Sequence, residues 1–140
     1  MRRRRDDYLK QLAAVPMFKA CTSRELIEIG RRAEDIEFAA GTVIVAEGTP
    51  SDAFYVIVGG KAKVSRKGKK VAELGAGDFF GELGLLARLP RDATVTAIGP
   101  VEVVAISRRE FTTVLEDVPS VTRKLLEGMA KRLHELDRRG

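Results

Sequence analysis

The sequence predicts a mainly β fold with flanking helices: an eight-stranded jelly-roll β-barrel, or double-stranded β-helix, with helices before it and two more after it. Three observations predict this. Between residues 36 and 107 short β-branched and aromatic runs follow one another, the composition that suits pleated, half-buried strands. Glycine-containing turn signals separate those runs at short intervals, as sandwiches and barrels require. On either side of this region apolar residues recur at helical spacing.

The first helical segment rests on Tyr8, Leu9, Leu12 and Ala13, and Pro16 limits it. Thr22-Ser23-Arg24-Glu25 has the form of a capping box. Leu26, Ile27, Ile29 and Ala33 then predict a second helix through about Glu34. Strands are expected at Thr42–Val45, Phe54–Val58, Lys61–Val64, Val71–Leu74, Ala93–Ala97 and Val101–Ile106, with turns at 48–52, 59–60, 66–69, 75–78 and 99–100. Roughly eight strands in about 70 residues fit a jelly roll, whose strand order the pattern does not supply. Ser107 is a cap for a helix over Arg108–Leu115, and Pro119 or Ser120 opens a last helix reaching Arg138. In that helix Leu126, Met129, Leu133 and Leu136 stand at heptad spacing, with Val121 and Leu125 widening the apolar face. The stripe either packs entirely on its own domain or offers a dimer surface.

The 140 residues carry a formal charge of +5, and the excess sits at the ends. Residues 1–10 and 131–140 hold all of it, while the central 120 residues carry sixteen charges of each sign. A nucleic-acid footprint needs a basic patch on a folded face, so direct nucleic-acid binding is not expected. Arg2–Arg5 suit a frayed tail, and Arg138 and Arg139 suit a helix C-terminus. Cys21 is the sole cysteine and is expected to pack as a small apolar residue. The run Ala53–Val58 is too short to span a bilayer, and Asp6-Asp7 after the arginines suits no secretory signal. A cytoplasmic location without membrane association is the expectation.

Several chemistries fail on residue type. The single histidine, His134, falls near the end of the last helix, so neither a metal-dependent barrel site nor a nucleophilic triad is expected. Gly75-x-Gly77-x-x-x-Gly81 misses dinucleotide spacing by one residue, and Gly59-Gly60-Lys61 lacks the remainder of a P-loop. The expectation is therefore a binding module, with no catalytic or metal residues and no cofactor.

The informative stretch is Phe79–Ala97, FFGELGLLARLPRDATVTA. Gly81 opens a helix-like turn over Glu82–Leu86, whose first amides lack internal partners and suit an anion, while Gly81 and Gly84 let a ligand approach the backbone. Arg91 can fold back over the turn and present a planar fork to two phosphate oxygens. An anionic Glu82 beside a phosphate makes sense if it accepts from a hydroxyl of the same ligand, such as that of a ribose.

This stretch resembles the phosphate-binding cassette of the cyclic nucleotide-binding domain family, whose pattern is close to FGE-L-[AG]-L-L, then Arg-[Ala/Ser/Thr]-Ala-x-Val. Gly41, Glu47-Gly48, Phe54–Ile57, Gly60 and Gly77 fall where that family places its turn glycines and strand aromatics, and the resemblance covers about Leu12–Leu133. It implies one domain over residues 12–138, after a basic tail and helix start over 1–11. It further implies a ligand site of Gly81, Glu82, Leu83, Gly84, Arg91, Asp92, Ala93, Val64 and Ala72. In that site Glu82 and the Gly81 backbone would hold the ribose 2′-hydroxyl, and Arg91 the exocyclic phosphate oxygens. The amides of Gly84, Asp92 and Ala93 would complete the cradle, and Val64 and Ala72 would line the base. The ligand implied is cyclic AMP or cyclic GMP, with cyclic AMP favoured, and the last helix, Ser120–Arg138, would be a lid passing the signal to an unnamed partner protein.

Asp92 departs from the pattern, which has a small residue there. Its carboxylate could repel the phosphate, neutralise Arg91, accept from a guanine amino group, or turn away. Two other readings stand beside a sensor: a scaffold or dimerisation module with a degenerate pocket, and the sensor part of a transcription regulator, for which a DNA-reading domain would have to follow Arg139.

Overall fold

The computed structural model describes residues 5–139, so the portion of the predicted basic tail over Arg2–Arg4 lies outside the described residues. Helix α1, Arg5–Ala14, is stopped by Pro16, which starts a single 3-10 turn, Pro16–Phe18. Helix α2, Ser23–Arg32, opens on the predicted capping box: the Glu25 amide donates to Thr22 Oγ1 at 3.1 Å and the Thr22 amide to Glu25 Oε1 at 2.8 Å. The expected continuation to Glu34 is not formed. Strand β1, Ala33–Phe38, begins directly after Arg32 because Ala33 and Glu34 pair with Ile106 and Ala105, and sheet pairing overrides the helical spacing.

Seven further strands follow: β2 Val43–Val45, β3 Ala53–Gly59, β4 Ala62–Arg66, β5 Lys69–Leu74, β6 Phe79–Phe80, β7 Thr94–Ala97 and β8 Val101–Ser107. Helix α3, Glu82–Ala87, interrupts them between β6 and β7. The strands form two antiparallel four-stranded sheets, in the orders β1-β8-β3-β6 and β2-β7-β4-β5, which is the predicted jelly roll. Helix α4, Arg108–Asp117, is capped by Ser107, and α5, Pro119–Arg139, follows.

At its centre, in β3 and β8, the first sheet is buried on both faces, which explains the unbroken apolar run of β3. Phe54, Val56, Phe79, Val104 and Ile106 face the helices and pack with Leu12, Phe18, Ile29, Phe111, Val121 and Leu125. The alternate residues Tyr55, Ile57, Phe80, Val103 and Ala105 face the second sheet, with Val45, Val95 and Val101. This alternation follows the two-residue period of a strand. Cys21 packs against the helical side of the core with its Sγ 3.4 Å from Ser120 Oγ, and His134 is exposed. Among the described residues no helix is long and apolar enough to cross a membrane.

Candidate functional site

The cassette hangs from the short strand β6, which pairs with β3 through Tyr55↔Phe80 and Val56↔Phe79. Gly81 caps α3 with φ +96°, a left-handed backbone, and a Cβ there would lie 2.7 Å from Arg91 Nη1 and 2.8 Å from the Ala53 carbonyl. Glycine is thus required twice at this position, by the turn and by the guanidinium beside it. Gly84 has a different reason from the one its spacing suggested. The space its side chain would fill is taken by Ser51 and the Leu89 carbonyl, so this glycine accommodates the chain's own loop rather than a ligand. Ser51 Oγ donates to that carbonyl at 2.9 Å, and the Leu89 amide closes α3 onto the Gly84 carbonyl.

The segment after α3 is tied down at Arg91, whose amide donates to the Thr49 carbonyl and whose carbonyl accepts from Gly48, both at 2.8 Å. These bonds turn the side chain inward, where it is 6% exposed. Nη2 donates to the Ala53 carbonyl at 2.9 Å and to Asp52 Oδ1 at 3.0 Å, and the guanidinium lies 5.7 Å from the Tyr55 ring centroid. Nη1 has no protein partner. The ion-pair partner of Arg91 is therefore Asp52, not Glu82 or Asp92, and Arg91, Asp52 and Tyr55 border an open pocket of about 480 Å³.

Glu82, the first residue of α3, is 2% exposed. Its Oε1 accepts from Arg132 Nη1 at 2.7 Å, while Oε2 has no protein partner. Burial pushes its carboxyl above the ordinary glutamate value; the Arg132 charge works against that shift and the Asp92 charge adds to it. Arg132 arrives from α5, where it also donates to the Phe79 carbonyl and lies over the Phe79 ring at 4.3 Å. One turn earlier Gly128 sits against the same ring, where a Cβ would come within 2.5 Å of it. Helix α5 is thereby seated on the start of the cassette.

The remaining predicted residues separate. Ala93 is buried immediately before β7, and Leu83 is half exposed on α3. Val64 and Ala72 are cross-strand partners on β4 and β5; Val64 packs toward the barrel interior and Ala72 is open to solvent. They share one register position, apart from the polar contacts around Arg91. Asp92 turns outward and pairs with Arg66 at 3.2 Å. Ser51, Asp52, Tyr55, Arg66 and Arg132 were not singled out by the sequence. Each lies some 26 to 50 residues from its cassette partner; Ser51, Asp52 and Arg66 fell in recognised turns and Tyr55 in an expected strand, but nothing local tied any of them to the cassette.

Two buried atoms among the described side chains stand without a partner, a guanidinium donor on Arg91 and a carboxylate acceptor on Glu82. Buried polar atoms are nearly always paired. A ligand that satisfies both offers an anionic oxygen to the first and a hydroxyl to the second.

Comparison with known proteins points the same way. A family model described as cyclic nucleotide-binding domain matches residues 35–118. A cAMP-dependent protein kinase regulatory subunit of Dictyostelium discoideum is 32% identical over 133 residues, covering 89% of this chain and 41% of that protein. The chain spans from about a quarter to two fifths of the curated relatives it matches. Among solved structures, the regulatory domain of Toxoplasma gondii protein kinase A with cAMP aligns with a TM-score of 0.79 and 28% identity, over 91% of this chain and 50% of that one. The regulatory subunit of a cAMP-independent protein kinase A from Trypanosoma cruzi, bound to guanosine, aligns with a TM-score of 0.75 and 30% identity, over 86% and 44%. The family match runs through the strands and the cassette alike, and this chain belongs to the cyclic nucleotide-binding domain family.

Proposed function

We propose that this chain is a regulatory module that binds a cyclic nucleotide, cyclic AMP in preference to cyclic GMP, and relays binding to a partner protein through α4 and α5. The observation that carries the reading is the pair of unpartnered buried atoms, Arg91 Nη1 and Glu82 Oε2. A cyclic nucleotide supplies both complements on one ligand: an anionic phosphate oxygen for Arg91 and the ribose 2′-hydroxyl for Glu82. The amides of Gly84, Asp92 and Ala93 complete the phosphate cradle, and Val64 and Ala72 flank the base. Cyclic AMP is favoured because Asp92, the acceptor a guanine amino group would use, is engaged by Arg66.

Titration calorimetry with cyclic AMP, cyclic GMP and guanosine, on the native chain and on Arg91→Ala, tests this. Cyclic AMP is expected to bind the native chain, and removal of a buried charged partner is expected to weaken it by about a hundredfold or more. Absence of heat with both cyclic nucleotides at about millimolar concentration, where even weak complexes register, would overturn the reading. Heat with guanosine that Arg91→Ala leaves unchanged would assign the pocket to a nucleoside instead.

A second reading concerns assembly and can hold together with the first. Leu126 and Leu133, seven residues apart on one face of α5, are 59% and 63% exposed, while Val121 and Leu125 are buried. The stripe is split between the domain and the solvent side, and the outer leucines fit a second copy of the same helix.

A further inference from the structure

Asp92 stands in the cassette where the resembled pattern has a small uncharged residue, and its neighbours are specific. Arg66, the last residue of β4, donates from Nη2 to Asp92 Oδ2 and from Nε to the Asp92 carbonyl, both at 3.2 Å. One guanidinium thus grips the side chain and the main chain of the same residue, fixing the direction in which the carboxylate points. The register places this grip beside the β4–β7 pairing Ser65↔Thr94, so it is built into the sheet. Close by, Thr94 Oγ1 accepts from the Glu47 amide, and Glu47 Oε1 from the Lys67 amide. The Asp92 charge nevertheless reaches the cassette interior, since it acts on buried Glu82.

We propose that Arg66 is a positioning residue for the ligand site: it holds the Asp92 carboxylate away from the phosphate and offsets part of its charge, which makes an acidic residue tolerable next to Arg91. The inference rests on the cyclic nucleotide reading. It assigns the tuning of phosphate affinity to a strand outside the cassette. With Arg66 truncated, a free carboxylate would stand directly after the phosphate-binding arginine and repel the anion.

The test is a double-mutant cycle read by cyclic AMP calorimetry on the native chain, Arg66→Ala, Asp92→Ala and the double variant, with Arg66→Lys as the conservative change. Both side chains are more than half exposed, so the effect is that of a surface pair. Arg66→Ala is expected to weaken binding about two- to fivefold, and less at high salt. In the Asp92→Ala background the same truncation is expected to change nothing, and Arg66→Lys is expected to recover part of the loss. Arg66→Ala equal to the native chain would overturn the inference. An equal loss in both backgrounds would do so as well, because Arg66 would then act on the ligand or the fold. Thermal unfolding of each variant identifies a folding defect, and Asp92→Asn then replaces the damaged arm. Native binding with a flat cycle removes the inference alone; no heat from any of the chains removes the cyclic nucleotide reading and the inference with it.

Discussion

Glu82 is the residue on which the chemistry of the site is most exposed to conditions. Burial raises its pKa above the ordinary 4.5, although Arg132 counters the shift. The folded chain therefore holds a proton here that the unfolded chain has released, over the window between 4.5 and the raised value. This carboxyl's contribution to stability is greatest at low pH and is lost as pH rises through that window. In the proposed complex ligand binding runs the opposite way, because the ionised form would accept the ligand hydroxyl. Affinity for cyclic AMP is expected to fall on acidification before an ordinary glutamate would titrate. Glu82→Gln is expected to bind about ten- to a hundredfold more weakly at neutral pH and to show no such fall. Calorimetry across the acidic range checks this, and matching profiles for the two proteins would remove Glu82 from the site. The sequence made Glu82 and Arg91 legible because both stand in a short motif whose spacing sets their relation. Asp52 was not legible as Arg91's partner: the loop that carries it meets the cassette through contacts between residues some 40 apart, among them the bonds of Gly48 and Thr49 with Arg91 and of Ser51 with Leu89.

At the scale of elements, α5 is the C-terminal helix that reaches the cassette, through Arg132 and Glu82. Its contacts at Gly128 and Arg132 converge on Phe79, while Val121 and Leu125 anchor its first turns in the core. Truncating Arg132 leaves a buried carboxylate with one fewer compensating charge. After allowance for the exposure of the arginine, Arg132→Ala is expected to cost about 1 kcal/mol of stability. It is also expected to speed amide exchange in the second half of α5 with little change in β3 or β8, as local opening requires. Hydrogen exchange resolved by segment checks this; an unchanged α5 would mean that Gly128 and Leu125 alone seat the helix. The caps at Thr22 and Ser107 were readable because capping chemistry is local. The end of α2 was not, because Ala33 fits a helical stripe and a strand equally well, and its partner Ile106 lies at the other end of the β region.

For the whole molecule, the two core clusters take up the apolar residues of β3 and β8, while Leu126, Leu133 and Leu136 of α5 are exposed. Self-association through that helix predicts a native dimer in sedimentation velocity. Leu126→Glu and Leu133→Glu are each expected to weaken it about tenfold or more, as loss of a buried leucine does. A native chain that sediments as a monomer at every concentration would leave these leucines for another partner. The order of the sheets has a separate consequence, for synthesis. Strand β8, the last of the eight, lies between β1 and β3 and pairs with both. A growing chain can form the β4–β5 hairpin early, yet the first sheet stays divided until Ser107 has been added. Its edges are open during that interval, and folding waits on contacts between distant parts of the sequence. The strand that completes the barrel runs straight into α4, so α4 and α5 start from the last piece of the sheet to arrive.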